Sequence, residues 1–322
     1  MNGRDITRIL HSRTGCDSVI VMALAAIVTA WFAGAPSLPG DVIAGGWPGL
    51  LMGLAVITLT AVVLQLVNKQ FNLVRYDTAL APAMFMTMVM SLPALGCSFG
   101  AGGVLALAMI AGSFMLFSAY ADPGARRRVF LLFCIVSALG MTRVVYLYYL
   151  PVLLVGCAQM RQFNLKTVLA AILGVVTPPW IILGSGLVSP DGIEMPGLSV
   201  PSLQVDSPVA ITMLAVTAFT IVMGVAFTSA NLIRVYSYNS KTRAMNGYYS
   251  VLFLATVLLV LIDFNNLSLY LPLLMAMAGY QACHFWAIRS ASPRGWIGII
   301  LFMAVYWGAY IWYTWFLKNL AS

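Results

Sequence analysis

The sequence predicts an all-α fold, a polytopic transmembrane helical bundle of about eleven helices with the N-terminus cytoplasmic and the C-terminus external. Three observations predict it. Of 322 residues, 61% are hydrophobic and only 8% charged, against about 25% charged in water-soluble domains. The apolar residues form continuous runs of roughly 15 to 22 residues, the length a helix needs to cross about 30 Å of hydrocarbon. The cations sit in the short connections between those runs. A soluble fold cannot hide so much apolar surface, whereas lipid tolerates it once every backbone amide pairs inside its own helix. A transmembrane barrel is excluded because its strands alternate apolar and polar residues.

Taken in chain order, the runs place spans at 18 to 34, 46 to 67, 78 to 97, 101 to 120, 129 to 142, 144 to 159, 166 to 187, 208 to 229, 248 to 263, 268 to 288 and 296 to 316. The first follows a basic leader and precedes Ala33, Gly34 and Ala35. Those features also fit a secretory signal, but the leader is long and the span is read as a retained crossing. Gly45, Gly49 and Gly53 open the second span at four-residue spacing and offer a smooth face to a neighbouring helix. Between 129 and 160 one long crossing competes with two short ones, and the charges decide for two. With the N-terminus inside, Arg4, Arg8, Arg13, Lys69, Arg75, Arg126, Arg127, Arg128, Arg161, Lys166, Arg234, Lys241, Arg243, Arg289 and Arg294 face the cytoplasm, and of 17 cations only Arg143 and Lys318 do not. That is the asymmetry the positive-inside rule requires. A single crossing would invert everything downstream, so Arg143 is placed at the outer turn of a tight hairpin.

Pro178 and Pro179 in the seventh span remove two backbone donors and should break or kink that helix. The 188 to 207 segment, rich in Pro, Gly and Ser, reads as an ordered external loop. The inner loop around Arg234, Tyr236, Tyr238, Lys241, Arg243, Tyr248 and Tyr249 mixes bases with tyrosines, as an interface with anionic headgroups does. The aromatic residues of the last span, Tyr306, Tyr310 and Tyr313 with Trp307, Trp312 and Trp315, read as an interfacial belt. With no repeat and no long linker, residues 1-322 form a single transmembrane helical bundle.

The net charge of +8 is explained by topology, so nucleic acid is excluded as a partner. No phosphate-binding loop, zinc-protease helix or nucleophile elbow is present, and no ATP hydrolysis is expected. The five cysteines form no C-x-x-C pair and read as small buried hydrophobes. With two histidines set far apart, no metal site and no cofactor is expected. His284, near the inner end of the tenth span, has the chemistry of a proton relay, and its simpler reading is a helix-end side chain meeting headgroup water. Charges near membrane depth are the informative ones. These are Arg143, followed by Tyr146, Tyr148 and Tyr149, and Asp263, followed by Asn265 and Asn266. If the fifth, sixth, ninth and tenth spans adjoin, Arg143 pairs with Asp263 or offers its planar fork to a phosphate. Asp41 is a lone acid in the first outer loop. The substrate-contact candidates are therefore Arg143, Tyr146, Tyr149, Asp263 and Asp41, the hinge candidates are Pro178 and Pro179, and no catalytic residue is assigned.

The stretch Leu147 to Leu183, LYYLPVLLVGCAQMRQFNLKTVLAAILGVVTPPWIIL, resembles an uncharacterised multi-pass inner-membrane protein family of Bacteroidetes bacteria. The motif positions are Tyr149 and Pro151, Arg161 and Phe163, Gly174, and Thr177 with Pro178. The resemblance implies a bacterial inner (cytoplasmic) membrane location. Some members look in layout like polyprenol-dependent glycan-assembly proteins with acidic residues in the first outer loop, where this sequence keeps Asp41. The leading expectation is a membrane protein handling a lipid or lipid-linked substrate of the cell envelope. The alternatives are a secondary transporter with a broken helix at Pro178-Pro179 and a non-catalytic scaffold subunit of an envelope complex. Partners are membrane lipids and, in the scaffold reading, another membrane protein.

Overall fold

The structure is a computed structural model and describes residues 13–35, 41–43, 46–74, 79–122, 124–186, 208–289 and 295–321. The 188 to 207 loop, Gly45, Arg4, Arg8, Arg75 and Arg294 lie outside them. The described chain is helical almost throughout. The helices are α1 (Arg13–Phe32), α2 (Gly46–Phe71), α3 (Leu80–Met90), α4 (Ala94–Cys97), α5 (Ala101–Ser118), α6 (Arg126–Gly140), α7 (Leu150–Gln159), α8 (Leu165–Gly184), α9 (Pro208–Val235), α10 (Ser240–Ile262), α11 (Leu267–Arg289) and α12 (Gly295–Ala321). Short 3-10 helices at Val144–Tyr149 and Phe264–Asn266 lead into α7 and α11. Two short strands, β1 (Asp41–Ile43) and β2 (Phe99–Gly100), pair antiparallel with Asp41 opposite Gly100. Seven helices, α1, α2, α5, α8, α9, α10 and α12, are long and apolar enough to cross a membrane, as a multi-pass membrane protein requires.

Helix ends are set by local chemistry. Asn164 and Asn239 cap α8 and α10, their side chains accepting from Thr167 N at 3.0 Å and Thr242 N at 2.8 Å, which satisfies donors that no helical carbonyl reaches. α2 ends where Asn72 takes a left-handed conformation, φ 46°, and Asn68 Oδ1 accepts from Val74 N at 3.0 Å.

The centre of the bundle is α11, which touches α3, α5, α9, α10 and α12 and is buried without interruption from Leu269 to His284. Enclosure on all sides frees it from the need to be uniformly apolar, and it carries Tyr270, Tyr280, Gln281 and His284. α3 beside it is buried at every position. Its run is interrupted at Ser91-Leu92-Pro93 before α4 resumes. Ser91 N and Oγ both donate to Met88 O, at 3.2 and 2.6 Å, and Leu92 N donates to Val89 O at 3.1 Å. The interruption therefore leaves these amides paired, as depth in an apolar medium demands.

The 126 to 160 segment is a hairpin. Arg128 Nη1 donates to Ser118 O at 2.6 Å, while Ala121 N donates to Met160 O at 3.1 Å and Gln162 Nε2 to Ala119 O at 2.6 Å. Both ends of the segment thus meet the same turn after α5. The 3-10 stretch and α7 together reach about 27 Å, at 2.0 and 1.5 Å per residue. Arg13, Lys69, Arg126–Arg128, Arg161, Lys166, Arg234, Lys241 and Arg243 gather at the end of the bundle where this hairpin opens, and Arg143 lies at the opposite end.

At Pro178 and Pro179 the expected break is absent, since α8 runs unbroken from Leu165 to Gly184. Proline at 179 frees the carbonyl of Val175, and Ser137 Oγ of α6 donates to that oxygen at 2.6 Å. Neighbouring hydroxyls rescue intramembrane prolines in this way. α8 packs chiefly on α6, with Gly174 so close that a Cβ there would lie 2.6 Å from Phe130 O. Ser137→Ala should therefore strand a buried carbonyl at a cost of about 1–3 kcal/mol. The measurement is hydrogen exchange across 165–184, which should accelerate while α10 and α11 stay protected, and an unchanged α8 would refute the rescue.

Candidate functional site

The end of the bundle away from the basic residues collects the polar groups that the sequence singles out. The Val144–Tyr149 helix starts at Arg143, whose carbonyl accepts from Tyr146 N at 3.1 Å. Three of its tyrosines point along different directions. Tyr146 is buried and donates to Ala101 O at 2.7 Å, one residue after the strand that pairs with Asp41. Tyr149 is buried and donates to Thr256 Oγ1 of α10 at 3.2 Å. Tyr148 is half-buried and lies within Coulombic range of Asp263. A Cβ at Gly102 would sit 2.7 Å from Ser268 O and 2.8 Å from Leu269 O, so the starts of α5 and α11 are pressed together here.

Asp263 ends α10 and is 1% exposed. Tyr270 OH donates to its Oδ2 at 2.8 Å, and Asn266 Nδ2 lies 3.0 Å from each carboxylate oxygen. The Tyr270 ring in turn packs against Tyr149, centroids 6.5 Å apart. The spacing Asp263, Asn266, Tyr270 places the three groups on successive turns around the α10–α11 corner, so the chain folds its own donors onto the carboxylate. Among the described residues no cation lies within ion-pair distance of it, the ion pairs there being Arg13–Asp17 at 3.9 Å and Arg128–Asp122 at 3.3 Å. A buried carboxylate held only by neutral donors is costly, and such groups concentrate at functional sites.

The expected Arg143–Asp263 ion pair is therefore not made, although the helices concerned do adjoin. Arg143 is exposed and has no carboxylate partner among the described residues. Of the five contact candidates, Tyr149 and Asp263 are joined through Tyr270 in one buried cluster, Tyr146 is buried against Ala101 O from the same 3-10 helix, Arg143 stands exposed at its start, and Asp41 is held by its backbone pairing with Gly100. Tyr270 and Thr256 went unnoticed in the sequence. A tyrosine seven residues after a lone intramembrane acid is a spacing that could have flagged the former.

Other side chains read as interfacial turn inward. Tyr248 and Tyr249 are buried, with Tyr249 OH 2.8 Å from Ser113 Oγ. Tyr306 and Tyr313 are buried as well, Tyr306 OH lying 2.9 Å from Thr220 Oγ1, whereas Trp312 and Trp315 are exposed. His284 is 1% exposed, packed inside the protein rather than at an exposed helix end. In lipid, a helix face toward protein and one toward acyl chains are equally apolar, and Tyr249 and Tyr306 find hydroxyl partners inward. Four cysteines are buried and Cys134 is half-buried, and none forms a disulfide.

The lateral surface is apolar. One groove of about 490 Å³ runs between α1 and α2, lined by Leu24, Leu51, Leu54 and Val62, and another of about 620 Å³ lies along α8 at Val175, Val176, Pro179 and Trp180. Comparison of the chain with family models, with curated proteins and with solved structures finds no match, so the resemblance over Leu147 to Leu183 rests on its motifs alone.

Proposed function

We propose that the chain is a bacterial inner-membrane protein of eleven crossings, N-terminus inside, that handles a lipid or lipid-linked envelope substrate at its outer end. Buried Asp263, held by Tyr270 and Asn266 with no cation in ion-pair distance among the described residues, is the observation that carries this reading. Arg143 at the exposed rim offers a planar fork suited to a phosphate. The tyrosines between Arg143 and Asp263 give a path from headgroup depth to the buried carboxylate, and the Tyr270–Asp263 pair can accept or relay a proton at the carboxylate oxygen. The apolar lateral faces suit a substrate whose tail stays in the bilayer.

Two measurements test it. A membrane-impermeant maleimide added to intact spheroplasts should label Arg143→Cys and leave Arg161→Cys unlabelled until the membrane is opened. Labelling of both from one side would invert the map. A photo-crosslinking residue at Tyr148 should then capture a phosphate-bearing lipid, and Arg143→Ala should reduce capture by about tenfold. Equal capture with and without the guanidinium would end the proposal. Transport stands second, because the α3–α4 path is interrupted at Ser91-Leu92-Pro93 in the bundle interior, and interrupted helices frame many transporter sites.

A further inference from the structure

At the basic end of the bundle, a second polar cluster lies among α9, α10 and α11. Asn231 Nδ2 donates to Gln281 O and Oε1, each at 2.9 Å, and Gln281 Nε2 donates to Ser250 Oγ at 3.3 Å. Tyr280 OH donates to Asn246 Oδ1, whose Nδ2 reaches Leu73 O at 3.3 Å. These amides are paired into a scaffold. Beside the scaffold stand groups that are not. Both ring nitrogens of His284 are buried without a hydrogen-bond partner, as are Asn231 Oδ1 and Thr228 Oγ1. Two orphaned nitrogens on one buried imidazole are costly and ask for an occupant.

Arg234, one turn beyond Asn231, acts on His284 through its charge. Its guanidinium rests on the Phe285 ring, 5.2 Å from the centroid, and donates to Phe285 O at a long 3.5 Å. No carboxylate neutralises it among the described residues. Tyr238 faces the imidazole with ring centroids 5.8 Å apart, and Tyr280 lies on another side at 6.4 Å. α3 and α5, which also pack on α11, contain no titratable residue. The surroundings of His284 thus carry the Arg234 charge and tyrosine rings, and exposed Lys241 and Arg243 at the same end of the bundle draw in anions. Water would fill the imidazole's needs but would leave the guanidinium uncompensated. A phosphate answers the guanidinium and the imidazole N–H with its oxygens and, where it carries a hydroxyl, the second ring nitrogen as well.

We propose that Arg234 and His284, with Tyr238 beside them, bind one phosphate group at the basic end of the bundle. Its source is either a lipid headgroup or free phosphate entering from that side. This site is separate from the one at Arg143 and Asp263 and stands or falls independently of it.

The test uses the whole protein, titrated with inorganic phosphate in neutral detergent and reconstituted in nanodiscs of phosphatidylcholine with or without phosphatidylglycerol, with native mass spectrometry as the readout. One bound phosphate or one retained phosphatidylglycerol per chain is expected, and which of the two binds names the source. Arg234→Ala and His284→Ala should each weaken binding by about tenfold or more. Removing the exposed bases with Lys241→Ala and Arg243→Ala together should weaken it by less than about threefold. Should either alanine variant fail to fold, Arg234→Lys and His284→Gln replace it, and phosphate must raise the melting temperature of the wild type but not of His284→Gln. Absence of binding, or a loss that follows Lys241 and Arg243 instead of Arg234 and His284, overturns the site.

Discussion

Gly53→Val should prevent the protein from accumulating in the membrane, and Gly53→Ala should lower its stability by about 3 kcal/mol. A Cβ at position 53 would fall 2.4 Å from Ser98 O and 2.7 Å from Gly96 O. Both obstacles are backbone, and neither is free to retreat. Cys97 Sγ donates to Ile27 O at 3.6 Å, and Phe99–Gly100 is paired to Asp41–Ile43, so a shift at Ser98 would pull on α1 and on the strand pair together. Only glycine lets α2 approach α4 at this distance, the small-residue packing that membrane helices depend on where the hydrophobic effect gives no drive between them. Gly308→Ala is the control, because nothing lies within 4 Å of a Cβ there and the added methyl should be neutral or slightly stabilising through helix propensity. Thermal unfolding in detergent reads both. Equal stability of the two variants would mean that α2 and α4 do not meet backbone to backbone.

Asp263→Ala should cost about 3 kcal/mol, since it strands the Tyr270 hydroxyl and the Asn266 amide in the interior together. Asp263→Asn keeps an acceptor in place and should cost about half as much. A double-mutant cycle with Tyr270→Phe should return a coupling of about 1–2 kcal/mol. Additive behaviour would show that the Tyr270–Asp263 hydrogen bond is not formed in the membrane. Asp263→Leu discriminates the reason for the carboxylate: a variant that matches the wild type in stability and fails in the lipid-capture assay identifies a group retained for chemistry, because apolar replacement of buried charge is often neutral for folding.

Helix positions were legible because hydrocarbon thickness dictates run length. The 46 to 67 and 268 to 288 runs became Gly46–Phe71 and Leu267–Arg289, and the hairpin at Arg143 was recoverable from charge alone. The interruption at Ser91-Leu92-Pro93 was not, since the apolar run continues across it and hydropathy is blind to backbone direction. The integrity of α8 across two prolines was equally hidden, because the rescuing hydroxyl of Ser137 comes from 38 residues away. At the site, Asp263 and Asn266 stood out as polar groups in an apolar context, whereas the partnership with Tyr270 depends on a helix corner that spacing only suggests. For Arg143 and Asp263 the sequence leaves two arrangements open, an ion pair or a guanidinium facing outward, and the ion pair is not made: the carboxylate turns inward to neutral donors and the guanidinium stays at the rim.

The helix at the middle of the bundle, α11, follows α1 to α10 in the chain. α3, which leans on it, leaves the ribosome about 190 residues earlier, roughly 10–40 s at 5–20 residues per second. Throughout that interval the early helices surround a space whose filler does not yet exist, with only lipid to take its place. Because α3 carries no charge, it can wait in the bilayer without penalty, and the buried Tyr270, Tyr280, Gln281 and His284 enter only with α11. The order of residues along the chain therefore schedules assembly from the outside inward, and a ribosome stalled before Leu267 should leave a set of loosely associated helices that quality-control proteases recognise.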